Sequence, residues 1–140
     1  MLGEGELRAE FESLILELGL AEVVDLPGFD PNPYAYFKYA ELFVLSSNWE
    51  GLPGVLIQAL ASKIKVVSTN CPSGPKEILA DAKFGLLVEC NDQAGMTVAM
   101  QQAIFGEYVR YDDTELAAYC LQFHKHTVQQ RYLELMEPCA

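Results

Sequence analysis

Apolar positions along this chain fall into two rhythms that alternate from end to end. In "ELRAEFESLILELGL", residues 6–20, Leu7, Phe11, Leu14, Ile15 and Leu18 recur at three- and four-residue spacing, with Gly19 as a stop signal. That spacing predicts an amphipathic helix. The run "VVDLPG" (23–28) predicts a short strand ending in a turn, and "NPYAYFKYA" (32–40) a short helix with Pro33 in its first turn. "LFVLSS" (42–47), "KVVST" (65–69) and "GLLVE" (85–89) are apolar or β-branched runs of strand length. Around them the pattern predicts helices over roughly 54–62, over "KEILADA" (76–82) and from "NDQAGMTVAMQQAIF" (91–105). The stretch 113–136 predicts more helix, broken around His126–Thr127, with no strand after it.

Apolar strands separated by helices need crossover connections. The expected class is therefore α/β: a Rossmann-like parallel sheet with flanking helices and a helical C-terminal tail. In open sheets of this kind a ligand sits at the carboxyl ends of the strands, where loops run into helix N-termini. The loops "GEGE", "GFDPNP", "SNWEGLPG" and "NCPSGP" are the candidates.

Composition narrows the partners. At 140 residues, about half of them apolar, the chain suits one domain with a real core. A net charge of −11 disfavours nucleic acid and anionic membrane, and the nine Lys and Arg form no cluster. Cys71, Cys90, Cys120 and Cys139 are far apart and lack metal-ligand spacing, so free thiols are expected. His124 and His126 flank Lys125, but an i, i+2 pair on a helix points to different faces, so no metal site is expected there. The sequence lacks a transmembrane run and a signal-peptide pattern, which predicts a soluble, cytoplasmic protein.

The loop after "LFVLSS" carries the most chemistry. Gly51 and Gly54 permit close backbone approach, and the N–H groups opening the next helix, at Gly54 and Val55, suit a phosphate or diphosphate. Glu50, beside that anion site, suits a neutral, hydroxyl-bearing part of the same ligand. Seven residues separate Glu50 from Gln58, so both can face one ligand. The plainer alternative is that Glu50 caps the helix and Gln58 is a polar residue on its exposed side.

From "GEGELR" through "LPGFDPNPYAYFKYAELFVLSSNWEGLPGVLIQALA", "VVSTNCPSGPKEIL" and "GLLVE", the order and spacing resemble the donor-binding half of the family 4 glycosyltransferases of the two-domain GT-B fold. The resemblance covers nearly the whole chain. It implies transfer of a hexosyl or N-acetylhexosaminyl group from a nucleotide-sugar, usually a UDP-sugar, to an acceptor hydroxyl, with retention of configuration and with neither bound metal nor cofactor. By match to the family's motif, Glu50 contacts donor-sugar hydroxyls, and the segment Gly51, Leu52, Gly54 and Val55 holds sugar and diphosphate. Gln58 stands where the family has a second glutamate for the ribose. Gly28 and Phe29 match the nucleobase loop, although Phe29 reads equally as a packing residue. Glu77 reads as a charge favoured by its helix dipole.

Three departures stand out. A neutral amide at Gln58 forgoes a charge-assisted bond worth about 1–2 kcal/mol, where each 1.4 kcal/mol is roughly tenfold in affinity. Lys63 occupies the expected helix-stop glycine, so a left-handed residue there costs about 1 kcal/mol. The chain also opens at what should be the end of the domain's second strand, which makes it an N-terminally truncated single domain over 1–140. The acceptor domain, the first strand and the Arg/Lys loop that neutralises the leaving diphosphate are then absent. On that expectation the isolated chain is a poor catalyst, its glycan or lipid-linked acceptor needs the missing domain, and unpaired strand edges make self-association an option. A non-catalytic nucleotide-binding or interaction remnant is the alternative.

Overall fold

A computed structural model describes residues 1–109 and 111–136. The chain divides into two compact units, Met1–Pro33 and Tyr34–Ala140.

In the first unit the periodic segment forms α1, Arg8–Glu17. Arg8 anchors it locally, bonding Glu4 at 2.6 Å, Glu12 at 2.8 Å and the Leu26 carbonyl at 2.7 Å. The strand expected over 23–28 does not form. Val23 and Val24 N–H groups turn back to the Leu20 carbonyl, and pairing is limited to one parallel bridge, Leu2 to Gly28. Apolar β-branched residues alone do not make a strand when no neighbour extends the ladder.

The second unit is α/β throughout. Helix α2 is only Tyr34–Phe37, shorter than the expected helix over 32–40. The strands are β1 Leu42–Leu45, β2 Lys65–Thr69 and β3 Leu86–Val88, in a parallel sheet of order β1-β2-β3. Helices α3 Gly54–Ala61, α4 Pro75–Ile78 and α5 Gln93–Phe105 follow successive strands. The tail is α6 Asp113–Cys120, a 3-10 turn at Leu121–Phe123 and α7 Lys125–Met136. Its break falls at His124, which is extended at ψ 138°, rather than at His126–Thr127.

Alternation along β2 explains why both sheet faces are covered. Val66 packs with Leu56, Leu60, Ile78, Phe84 and Leu116 on one side, while Val67 packs with Val88, Ala99 and Ala103 of the other. Edge strand β1 is half-buried along its length, in contrast to the buried centre of β2. Where β3 has not yet begun, the Tyr108 hydroxyl serves the ladder: it accepts from Val66 N–H at 2.7 Å and donates to the Val66 carbonyl at 3.1 Å. Burial pushes this hydroxyl well above the ordinary tyrosine range. Lys63, ending α3, takes φ 58°, the left-handed turn expected of it.

Candidate functional site

Two strand exits are fastened side by side in the second unit. The Thr69 hydroxyl, ending β2, donates to the carbonyls of Leu45 and Ser47, where β1 ends. Ser47 in turn donates to Glu50 Oε1 at 2.7 Å, which orients the half-buried carboxylate. The backbone of Glu50 is held from the other loop, because the Ser73 hydroxyl donates to its carbonyl at 2.7 Å. Gly74, at φ +92°, completes the fastening: a Cβ there would lie 2.6 Å from Pro53 Cδ and closer still to the Gly51 carbonyl oxygen.

Helix α3 then starts open. Pro53 occupies its cap position with extended geometry, and no side chain caps the helix. Leu56 and Ile57 N–H groups reach the Pro53 carbonyl at 3.0 and 3.4 Å, whereas those of Gly54 and Val55 have no acceptor among the described residues. These are the free donors that an anion can take, reinforced by the helix dipole. Gln58 stands four residues after Gly54, on the same helix face one turn along. It is half-buried, and its carboxamide bonds no described residue.

Glu50, Gly51, Leu52, Gly54, Val55 and Gln58 therefore gather in one loop and the helix turns that follow. Glu50 does not cap the helix, since its carboxylate goes to Ser47. Gly28 and Phe29 belong to the first unit, where the Gly28 carbonyl accepts from Gly3 N–H at 2.9 Å. Phe29 is 75% exposed, so it fills no core. Glu77 lies in the first turn of α4, with its carbonyl bonded by the Tyr119 hydroxyl at 2.7 Å.

Sequence reasoning missed Ser47, Thr69 and Ser73. The first two have the faint signal of hydroxyls at strand ends, and Ser73 sits in a loop already singled out. A cleft of about 310 Å³ opens beside Thr69, lined also by Ser46, Asn48, Glu89, Asp92 and Met96 among others. Lys76, in α4, pairs with Asp81 at 3.4 Å, while at the opposite, starting ends of the strands Lys63 pairs with Asp113 at 2.8 Å, Lys65 bonds the Ala103 carbonyl at 2.6 Å and Lys83 pairs with Glu115 at 2.5 Å. Among the described residues no group of three or more His, Cys, Asp or Glu could hold a metal ion. Cys71, Cys90 and Cys120 are free thiols, while Cys139 lies outside the described residues.

Residues 1–118 match the family model described as glycosyl transferases group 1. The chain is similar to N-acetylgalactosamine-N,N'-diacetylbacillosaminyl-diphospho-undecaprenol 4-alpha-N-acetylgalactosaminyltransferase of Campylobacter jejuni, 42% identical over 110 residues. The match covers 79% of this chain and 30% of that relative, so the chain spans well under half of its length. A glycosyltransferase from Rickettsia africae has a TM-score of 0.82 at 18% identity, covering 96% of this chain and 38% of the other. A mutant of Staphylococcus aureus TarM, solved with fondaparinux, alpha-GlcNAc-glycerol and UDP, has a TM-score of 0.78 at 23% identity, covering 98% and 28%. Both structural likenesses are to a Rossmann-like portion of a larger chain.

Proposed function

The chain belongs to the group 1 glycosyl transferases, and from that membership we propose that its Glu50 corner binds the donor for transfer of a sugar from a nucleotide-sugar, a UDP-sugar, to an acceptor hydroxyl. In the finer reading the chain is the donor-binding domain of a retaining family 4 enzyme of GT-B fold, acting in the cytoplasm without a metal. Among the described residues no helix is long and apolar enough to cross a membrane. The transferred group is a hexosyl or N-acetylhexosaminyl unit, and the acceptor is a glycan or a lipid-linked glycan engaged by another part of the enzyme.

The roles follow the chemistry of the corner. Gly54 and Val55 N–H groups take the diphosphate, Glu50 accepts from donor-sugar hydroxyls, and the backbone from Gly51 through Leu52 lines the sugar. Gln58 takes the ribose hydroxyls. One observation carries the reading: a carboxylate oriented by Ser47 stands at the mouth of a helix whose first two N–H groups have no acceptor among the described residues. Titration with UDP and UDP-sugars, followed by NMR, tests it. Shifts at the amides of Gly54 and Val55 and the carboxamide of Gln58 are expected at millimolar ligand, and silence at all three would dispose of the donor site.

The neutral amide at Gln58, where the family has a glutamate, favours a second reading, a nucleotide-binding module without catalysis. It keeps the UDP shifts. Turnover of a UDP-sugar by the chain joined to an acceptor domain would remove it.

A further inference from the structure

The carboxyl ends of β2 and β3 each deliver a cysteine to the same level. The register pairs Val67 with Leu86, Ser68 with Leu87 and Thr69 with Val88. Pairing continues one step beyond the strands: Asn70 N–H donates to the Val88 carbonyl at 2.7 Å, and Asn70 Nδ2 to Glu89 Oε1 at 3.2 Å. Carried past the strand ends by the same offset, Cys71 and Cys90 fall at matching positions of the two loops, and Cys90 is close enough to act electrostatically on Cys71. Neighbouring strands lie about 4.8 Å apart, inside the roughly 4.4–6.8 Å between Cα atoms that a disulfide spans.

Surroundings distinguish the two thiols. Cys71 is buried and bonds weakly to the Ser73 carbonyl, whereas Cys90 is half-buried, so a small reagent meets Cys90 first. Burial and then the neighbouring Cys90 push the Cys71 thiol up, partly offset by backbone donors that include Glu50 N–H. Cys71 is thus linked to Glu50 through Ser73, whose carbonyl accepts from the thiol and whose hydroxyl holds the Glu50 carbonyl.

We propose that Cys71 and Cys90 form an oxidative modification site, a dithiol that closes to a disulfide and in closing shifts the Ser73 loop that holds Glu50. The oxidant is a peroxide. The Cys90 thiolate attacks one peroxide oxygen, the O–O bond breaks, the other oxygen leaves as water, and Cys90 becomes a sulfenic acid. The Cys71 thiolate then attacks the Cys90 sulfur, and the sulfenic hydroxyl leaves as a second water. Two thiols and one hydrogen peroxide give one disulfide and two waters. Disulfide formation removes the Cys71 S–H donor from the Ser73 carbonyl, in the residue whose hydroxyl holds Glu50, and its effect on donor binding rests on the reading given above.

The test is hydrogen peroxide added to the reduced chain under native conditions, followed by alkylation, digestion and mass spectrometry. A linked peptide joining Cys71 to Cys90 is the expected main product, with Glu50 and Ser73 amide resonances shifting on oxidation and returning with dithiothreitol. Recovery of both residues as thiols, their separate over-oxidation, or linkage of either to Cys120 or Cys139 would overturn the site. A disulfide that leaves the Glu50 resonance unmoved would overturn the coupling. Mapping on the unmodified sequence needs no variant to fold, and UDP titration of the reduced chain tests the donor site separately.

Discussion

Helices α3, α5 and α6 begin in contrasting ways. Asp92 accepts from Gly95 N–H at 2.8 Å to close α5, and Asp112 accepts from Thr114 and Glu115 N–H at 2.7 and 3.2 Å to close α6. At the start of α3 the cap position holds Pro53, which has no side-chain acceptor. A side-chain cap is worth about 1 kcal/mol, so leaving it out costs stability unless something else steadies the turn. Here the steadying comes from the neighbouring loop, through Thr69, Ser73 and the close approach of Gly74 to Gly51 and Pro53. Closed helices satisfy their own ends, whereas the open one is held in shape from outside and keeps its donors free.

If that contrast is right, Gly74 carries more weight than any capping residue. Gly74→Ala puts a methyl into Pro53 and the Gly51 carbonyl at a φ that disfavours side chains, and is expected to cost about 3 kcal/mol in urea unfolding. A loss below about 1 kcal/mol would mean that the two loops are not locked together. Pro53→Asp attacks the other half of the contrast by supplying the missing cap. Its carboxylate would take Val55 N–H and repel a phosphate, so UDP affinity should fall roughly thirtyfold, about 2 kcal/mol. Calorimetry showing unchanged UDP affinity would separate the anion site from this helix start.

How far this contrast was legible in the sequence depends on the distance over which each part acts. The α/β class could be read locally, because 42–47 and 65–69 are strand-length apolar runs with helical spacing between them. Open donors at Gly54 and Val55, and Gln58 one turn on, follow from a Gly-Leu-Pro turn entering an apolar helix. The left-handed Lys63 was equally local. What escaped were contacts across sequence: Ser73 is 23 residues from Glu50 and Tyr108 is 42 from Val66, and nothing near either residue marks its partner. The segment 23–28 failed for the converse reason, since its strand-like composition finds only a single bridge to pair with.

The open helix also predicts a gain. Gln58→Glu restores a charge-assisted acceptor for ribose hydroxyls on the face shared with Gly54, and UDP should bind roughly tenfold tighter, about 1.4 kcal/mol. Unchanged or weaker binding by calorimetry would detach Gln58 from the ribose. On the closed side, Asp92→Ala should cost about 1 kcal/mol of stability and leave UDP affinity alone. A matching loss of UDP affinity would erase the distinction between the two kinds of helix start.

The smallest effect is a pH dependence confined to a closed helix. Hydrogen bonds from Thr114, its side chain first and then its backbone, together with Glu115 N–H, hold Asp112 below the ordinary carboxylate value. A lowered folded value means that the fold prefers the carboxylate and the unfolded chain binds more protons in that range. This contribution to stability is fully present above the unfolded value of about 3.9 and is lost as pH falls through the folded one. Asp112→Asn keeps a capping oxygen, so stability near neutral pH should hardly change, while the fall in stability below about pH 4 becomes shallower. Urea unfolding at a series of acidic pH values measures both chains. Identical slopes would show that the cap at α6 acts through its oxygen alone and that its charge adds nothing.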